Sequence, residues 1–207
     1  MLPHHSMPTK KPYAFKSMTE RAIEKFVGIE NPTLGDLNVL KVAGQVEAGV
    51  EELLAYLRDG YTKKSRTELE EEVHDSKKLG QRMNLVNNQK PHPTLCQAHA
   101  IVSGGHPRAA TLRGILAKYK IRIDDPDNGC WLPNNTEAKK KMRSPAVPHS
   151  RIHRKNYYRW MDTYIRLPAT NNETYCRFQL NMIKDRLLNM DSLPDYVMLP
   201  AGEKVTS

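Results

Sequence analysis

Five of the eight histidines in this 207-residue chain fall between His92 and His153, and their spacing suggests a metal site. His149 and His153 are four residues apart, and on a helix such a pair shares one face with Cβ atoms about 6 Å apart. Two imidazoles so placed can reach one ion at Zn–N distances near roughly 2.0 Å. An H-x-x-x-H pair also occurs on ordinary helix surfaces, so its surroundings must decide. Upstream, Gln97-Ala98-His99-Ala100-Ile101-Val102 puts a histidine late in a short apolar segment. Asp127-Asn128-Gly129-Cys130-Trp131-Leu132-Pro133 puts an asparagine at the entrance of another. The stretch after Pro148 carries the histidine pair, followed by Asn156, Tyr157 and Tyr158.

These groups need elements to carry them. Thr94–Ser103 is short, has β-branched ends and stops at Gly104-Gly105, which predicts a strand. Pro107–Tyr119 reads as a helix, with Pro107 near its first turn and Ala110, Leu112, Ile115 and Leu116 on one face. Asp124–Asn128 has turn chemistry, so Asp124, Asp125 and Asp127 are read as an Asx-type turn rather than a carboxylate metal cluster. Gly129–Leu132 is a second strand, closed by Pro133. From Pro148 to Leu167-Pro168 the pattern predicts one helix, and Tyr175–Met190 predicts another. The tail after Pro194 is read as extended. On the N-terminal side, Ser17–Val27 and Thr33–Tyr61 have helical periodicity, the latter through Leu34, Leu37, Leu40, Val42, Val46, Val50, Leu53, Leu54 and Leu57. Thr62–Leu79 reads as an exposed third helix. A polar, proline-bearing linker at 86–93 separates this part from the histidine region, and residues 1–16 read as a loose arm. The expected segments are 1–90, 91–167 and 168–207.

Composition narrows the function classes. No apolar run approaches the roughly 20 residues that span a bilayer, and the first residues lack the apolar core of a secretory signal. Cys96, Cys130 and Cys176 are an odd number at unrelated spacings, which argues against a disulfide framework and a CxxC zinc knuckle. The net charge of +9 is concentrated: residues 90–166 hold 15 Lys/Arg against 5 Asp/Glu, and the remainder 17 against 18. A basic segment within a neutral chain suggests a polyanion partner. Lys139, Lys140, Lys141 and Arg143 are read as phosphate contacts, with a solvated loop as the alternative. Trp131 reads as a core aromatic, and Tyr157, Trp160 and Tyr164 as packing residues. His74, isolated in a charged segment, reads as a surface histidine.

The motifs together resemble the AHH family of the HNH/endonuclease VII superfamily, a ββα-metal fold found as toxin domains of bacterial polymorphic and contact-delivered toxins. The resemblance covers residues 95–167. It is carried by Ala98-His99 with Ile101-Val102, Asn128-Gly129 with Leu132-Pro133, and His149, His153 and Tyr157. It implies an α+β, mostly helical chain: an HNH-like nuclease core with N-terminal helices and a C-terminal helix. It implies that His99, His149 and His153 hold one divalent ion (Zn, Ni or Mg), and that Asn128 braces a loop by side-chain bonds to backbone. An imidazole set suits a transition ion better than Mg.

One position departs from the motif. Where the family has the second histidine of Ala-His-His, this chain has Ala100, and a methyl group cannot accept a proton. A positioned general base typically contributes about 10² to 10⁴ in rate, so the resemblance implies an impaired enzyme. Ala100 is read as an engineered replacement. The alternatives are a naturally inactive variant and rescue by His106 or His92. The intact enzyme would hydrolyse phosphodiesters in DNA, with RNA also open, and without sequence specificity. Arg108, Lys141, Arg151 and Arg154 would seat the backbone. The resemblance further implies a cognate immunity protein, export or injection by a route without a signal peptide, and action in a target cell's cytoplasm. A non-catalytic, metal-stabilised nucleic-acid-binding module is the competing class, and a plain helical interaction protein the third.

Overall fold

Cys96–Ala100 (β1) and Gly129–Pro133 (β2) form a two-stranded antiparallel sheet in the register His99 opposite Cys130 and Ala100 opposite Gly129. Because strand side chains alternate, His99 faces one side and Ala98 and Ala100 the other. The computed structural model describes residues 11–87, 91–166 and 170–199. Residues 1–10 of the loose arm expected at 1–16, the middle of the linker, the Leu167-Pro168 helix end and the last eight residues lie outside the described ones.

The chain divides into two compact units, Met1–Glu52 and Leu53–Ser207. In the first, α1 (Met18–Val27) starts at a capping box: Ser17 accepts from the Glu20 amide, and Glu20 accepts from the Ser17 amide. Glu47 accepts from Ser17 Oγ and the Thr19 amide, both at 3.0 Å, and so ties this cap to α2 (Leu34–Thr62).

In the second unit the exposed helix expected at 62–79 is broken at 71–75, and the helix that follows runs on to Asn87, into the stretch expected as linker from 86. A short α3 (Arg66–Glu70) begins at a Ser65–Glu68 capping box, and α4 (Ser76–Asn87) begins where Asp75 accepts from the Lys77 and Lys78 amides. The reason is tertiary. Leu79 and Met83 of α4 are fully buried with Ala98, Ala100 and Trp131, so α4 covers one face of the sheet. A Cβ on Gly129 would lie 2.5 Å from Met83 Sδ and 2.8 Å from Leu79 Cδ1, so only glycine lets strand and helix approach this closely. Trp131 belongs to this cluster as a packing residue.

The opposite face carries the main core. α5 (Ala110–Lys118), preceded by a 3₁₀ turn at Pro107–Ala109, contributes Leu112, Ile115 and Leu116. α7 (Lys155–Tyr164) contributes Tyr157, Tyr158, Trp160 and Met161, and α8 (Glu173–Leu188) contributes Leu180, Ile183 and Leu187. Lys139–Lys141, expected in a polar loop, lie in α6 (Thr136–Met142), capped by Asn135. The tail is not extended throughout, since Asp195–Met198 is a 3₁₀ turn.

The largest correction concerns residues 149–166. They do not form one helix: His149–Arg151 is a 3₁₀ turn, Ile152 is extended, His153 has φ 67°, and α7 starts only at Lys155. Anchors from distant chain hold the segment open. The Val147 amide donates to the Leu187 carbonyl at 2.8 Å, the Ser150 amide to the Asn134 carbonyl at 3.2 Å, and Ile152 is buried in the main core.

The three cysteines are free thiols. Burial pushes Cys130 and Cys176 up to about 12, which leaves both protonated and unreactive. Among the described residues no helix is long and apolar enough to cross a membrane. Because Leu79 is completely enclosed between α4 and the sheet, Leu79→Ala is expected to destabilise the protein by about 2–5 kcal/mol. Chemical denaturation, comparing midpoints at equal m-value, checks this.

Candidate metal centre

His99, His149 and His153 come from β1, a 3₁₀ turn and a left-handed residue, yet each offers a ring nitrogen within 4.8 Å of the others. Their ring centroids are 5.2 Å (His99–His149), 4.8 Å (His99–His153) and 5.5 Å (His149–His153) apart. The break in the expected helix is what produces this. The left-handed turn at His153 sends its ring back towards His149. For a non-glycine residue such a conformation costs on the order of 1–3 kcal/mol and persists only where the surroundings enforce it.

A single tyrosine fixes the tautomer of His99. The Tyr157 hydroxyl donates its one hydrogen to the Ile101 carbonyl at 2.9 Å. Towards His99 Nε2, 3.2 Å away, it can therefore only accept. His99 Nε2 then carries the ring hydrogen, and Nδ1 carries a lone pair. That Nδ1 is buried and has no hydrogen-bond partner. An unpartnered lone pair in a 1 % exposed residue, aimed into a group of three imidazoles, is the arrangement a cation would satisfy. The second ring is held in the same way, with His153 Nδ1 3.0 Å from the Tyr158 hydroxyl. Metal-bound histidines are commonly oriented by such a bond from the other ring nitrogen.

Electrostatics keep the rings neutral. Burial, and then the neighbouring His153 and His149, hold His99 well below the usual imidazole range. Burial lowers His149, and burial with His149 beside it lowers His153 to about 4. Neutral imidazole is the form that coordinates metal. The donor set fits a divalent transition ion, and the HNH/ENDO VII nucleases are metal-dependent enzymes.

The remaining residues singled out from the sequence occupy several environments. Ala100 is buried, and with His149 and His153 it lines a cavity of about 650 Å³ between α4 and the sheet. Asn128 is fully buried and positions the chain: its amide donates to the Val102 and Ile123 carbonyls, and its oxygen accepts from the Val102 amide at 2.8 Å. Both of its polar groups are engaged with backbone, so it shapes the end of β1 rather than meeting a substrate. Arg108 and Arg151 are exposed. Arg154 donates to the Met198 carbonyl at 2.9 Å, a contact that ties α7 to the C-terminal segment. Lys141 lines a separate cavity with Lys140, Thr94 and Asn135. His106 stacks on Tyr158 and His92 lies against Thr94, and neither lines the cavity beside Ala100.

Sequence reasoning missed two contributors. Tyr157 carries part of the family resemblance and is read from its spacing as a packing residue, but its role in orienting His99 is not read from the sequence, although its position in the first turn of α7, beside the histidine pair, is a usable signal. His74 was read as a surface group, yet it lines the same cavity as Ala100.

A family model described as a nuclease family of the HNH/ENDO VII superfamily with conserved AHH matches residues 80–189. No curated protein and no solved structure matches the chain. The matched region extends beyond the stretch that carries the sequence resemblance and includes most of α4 and all of α8.

Tyr157→Phe removes the hydroxyl that selects the His99 tautomer. It is expected to weaken Zn or Ni binding about 10- to 100-fold, measured by calorimetric titration of the chelator-stripped protein. A second expectation concerns pH. The folded state holds these rings below the ordinary value of 6.5, so the unfolded chain binds more protons as pH falls past about 6.5. Stability of the metal-free protein is therefore present at neutral pH and declines on acidification, until His153 itself protonates near about 4. Thermal melts in EDTA at about pH 7 and about pH 5 are expected to show the lower Tm at the lower pH.

Proposed function

The chain belongs to the AHH family of HNH/ENDO VII nucleases, and we propose that it is an endonuclease that hydrolyses phosphodiester bonds in DNA without sequence preference. The observation that carries this reading is the meeting of His99, His149 and His153 with a free lone pair on His99 Nδ1, beside an open cavity.

A divalent cation held by these three residues, with Zn or Ni better suited than Mg to an imidazole set, would supply Lewis-acid stabilisation of negative charge on the phosphate and the leaving oxygen. The protein does the rest. Tyr157 and Tyr158 orient two of the rings, and Asn128 holds the end of β1 so that His99 and position 100 stay on opposite sides of the strand. Arg108 and Arg151, both exposed, would take phosphates flanking the scissile one. Contacts of that kind carry no base information, which is why no sequence preference is proposed. The basic segment at 90–166 favours a polyanionic substrate at long range. Ala100 offers no proton acceptor, so this chain is slower than a form with histidine there. The toxin role, a cognate immunity protein that protects the producing cell, and delivery into the cytoplasm of a target cell are proposed from the family resemblance alone.

A second reading, a metal-stabilised nucleic-acid-binding module without chemistry, is favoured by Ala100 itself. Plasmid nicking separates the two. With Zn, Ni, Mn or Mg supplied, Ala100→His is expected to raise the nicking rate about 100-fold or more. EDTA and His153→Ala are expected to abolish it. Tight, salt-dependent DNA binding with no nicking by either form would establish the binding module instead.

A further inference from the structure

The cavity beside Ala100 has another imidazole in its wall. His74 sits in the turn between α3 and α4, far in sequence from the three clustered histidines, and lines the same 650 Å³ space as Ala100, Ser103, His149 and His153. Its Nδ1 lies 2.5 Å from Asp124 Oδ1. Asp124 is 3 % exposed and held from several directions. Its Oδ2 accepts from the Asp75 amide at 2.9 Å and lies 4.0 Å from the Arg82 guanidinium, and its own amide donates to the Tyr56 hydroxyl. A carboxylate fixed in this way accepts the Nδ1 hydrogen of His74 and leaves the lone pair on Nε2. The ring is placed from behind as well. A Cβ on Gly104 would lie 2.7 Å from His74 Cβ and 3.2 Å from its backbone nitrogen, so glycine is needed for the loop after β1 to seat this turn.

A histidine whose Nδ1 hydrogen is held by a buried carboxylate, and which lines the same cavity as the position where the family has its base, has the build of a general base. We propose that His74, oriented by Asp124, is the proton acceptor of this chain's hydrolytic site, filling in part the function that Ala100 cannot perform. This rests on the nuclease reading above. In the step, the oxygen of a water molecule forms a bond to phosphorus while one of its O–H bonds breaks, and that proton passes to His74 Nε2. One P–O ester bond breaks, and its electron pair leaves with the departing oxygen, which takes a proton from solvent. His74 then returns its proton to solvent. Because Gln keeps a nitrogen donor for Asp124 but has no basic nitrogen, His74→Gln tests the proton transfer with little change in packing.

The experiment measures plasmid nicking with Mn or Ni for the unaltered chain, His74→Gln, His74→Gly, Asp124→Asn, Ala100→His and the Ala100→His/His74→Gln double variant, with Ni affinity by calorimetry for each. The expected result is slow nicking by the unaltered chain, about 10-fold or more slower nicking by His74→Gln and Asp124→Asn, and partial recovery of His74→Gly on adding free imidazole. In the Ala100→His background, loss of His74 is expected to cost less than about 3-fold, because the strand then supplies the base. Ni affinity is expected to be the same with and without His74. Equal nicking by His74→Gln and the unaltered chain overturns the proposal, as does a large loss of Ni affinity in His74→Gln, which would make His74 a ligand. Nicking by Ala100→His alone, with none by the unaltered chain, overturns the role of His74 and leaves the nuclease reading standing. No nicking by any form, including Ala100→His, overturns the nuclease reading itself.

Discussion

A buried lone pair organises this protein. His99 Nδ1 lies out of reach of water and has no partner of its own, and burying a polar atom without a hydrogen bond costs free energy of order 1–3 kcal/mol. The fold preserves this cost instead of relieving it. Tyr157 engages the opposite ring nitrogen, Ile101 takes the tyrosine's hydrogen, and the backbone around His153 adopts a left-handed conformation that brings a third ring to the same point. A protein that only needed a stable core at this place would have an apolar side chain at position 99. The arrangement has a ready explanation as a ligand set waiting for a cation, and it agrees with membership in a metal-dependent nuclease family.

The surrounding elements serve mainly to keep this point fixed. The Asn128 side chain bridges the end of β1 to the backbone at Ile123, so the strand that carries His99 and Ala100 ends in a rigid loop. Val147 and Ser150 fasten the segment that carries His149 to α8 and to the end of β2. Helix α4 closes the other face of the sheet through Leu79 and Met83 and leaves a cavity that the buried Ala100 lines together with His74, His149 and His153. The acidic turn at 124–127 divides its work. Asp125 caps the turn by accepting from the Asp127 amide, both residues pair with Arg177 of α8, and Asp124 reaches back to His74. Three neighbouring carboxylates thus have separate jobs, none of them coordination within their own cluster.

Much of this was legible in the residues. The period of the apolar positions placed α1, α2, α5 and α8 with small boundary errors, and the two short apolar runs were strands. The histidines at 99, 149 and 153 stood out because strand, turn and histidine pair occurred in a fixed order. The single helix expected over 149–167 was the plainest failure. Its polar and aromatic positions fit a 3.6-residue period well, but the bonds that open it come from Leu187 and Asn134, which a local pattern does not see. Only the first turn of α4 fell within the helix expected at 62–79, and the rest was missed for a similar reason, since its short apolar face makes sense only against the sheet it covers.

What the sequence determined by itself was an inventory: three imidazoles able to share an ion, a methyl group where the family has a base, and a basic stretch suited to a polyanion. Tertiary structure decided which nitrogen of each ring is available, how His153 returns to the cluster, and that His74 with Asp124 faces the same cavity. The physical reason is range. Helix and strand periodicity follow from contacts within a few residues, so they can be read along the chain. Tautomers, buried lone pairs and the sharing of a cavity depend on partners 50 or more residues away, as with His99 and Tyr157 or His74 and Asp124. Those pairings exist only once the core has brought the distant segments together.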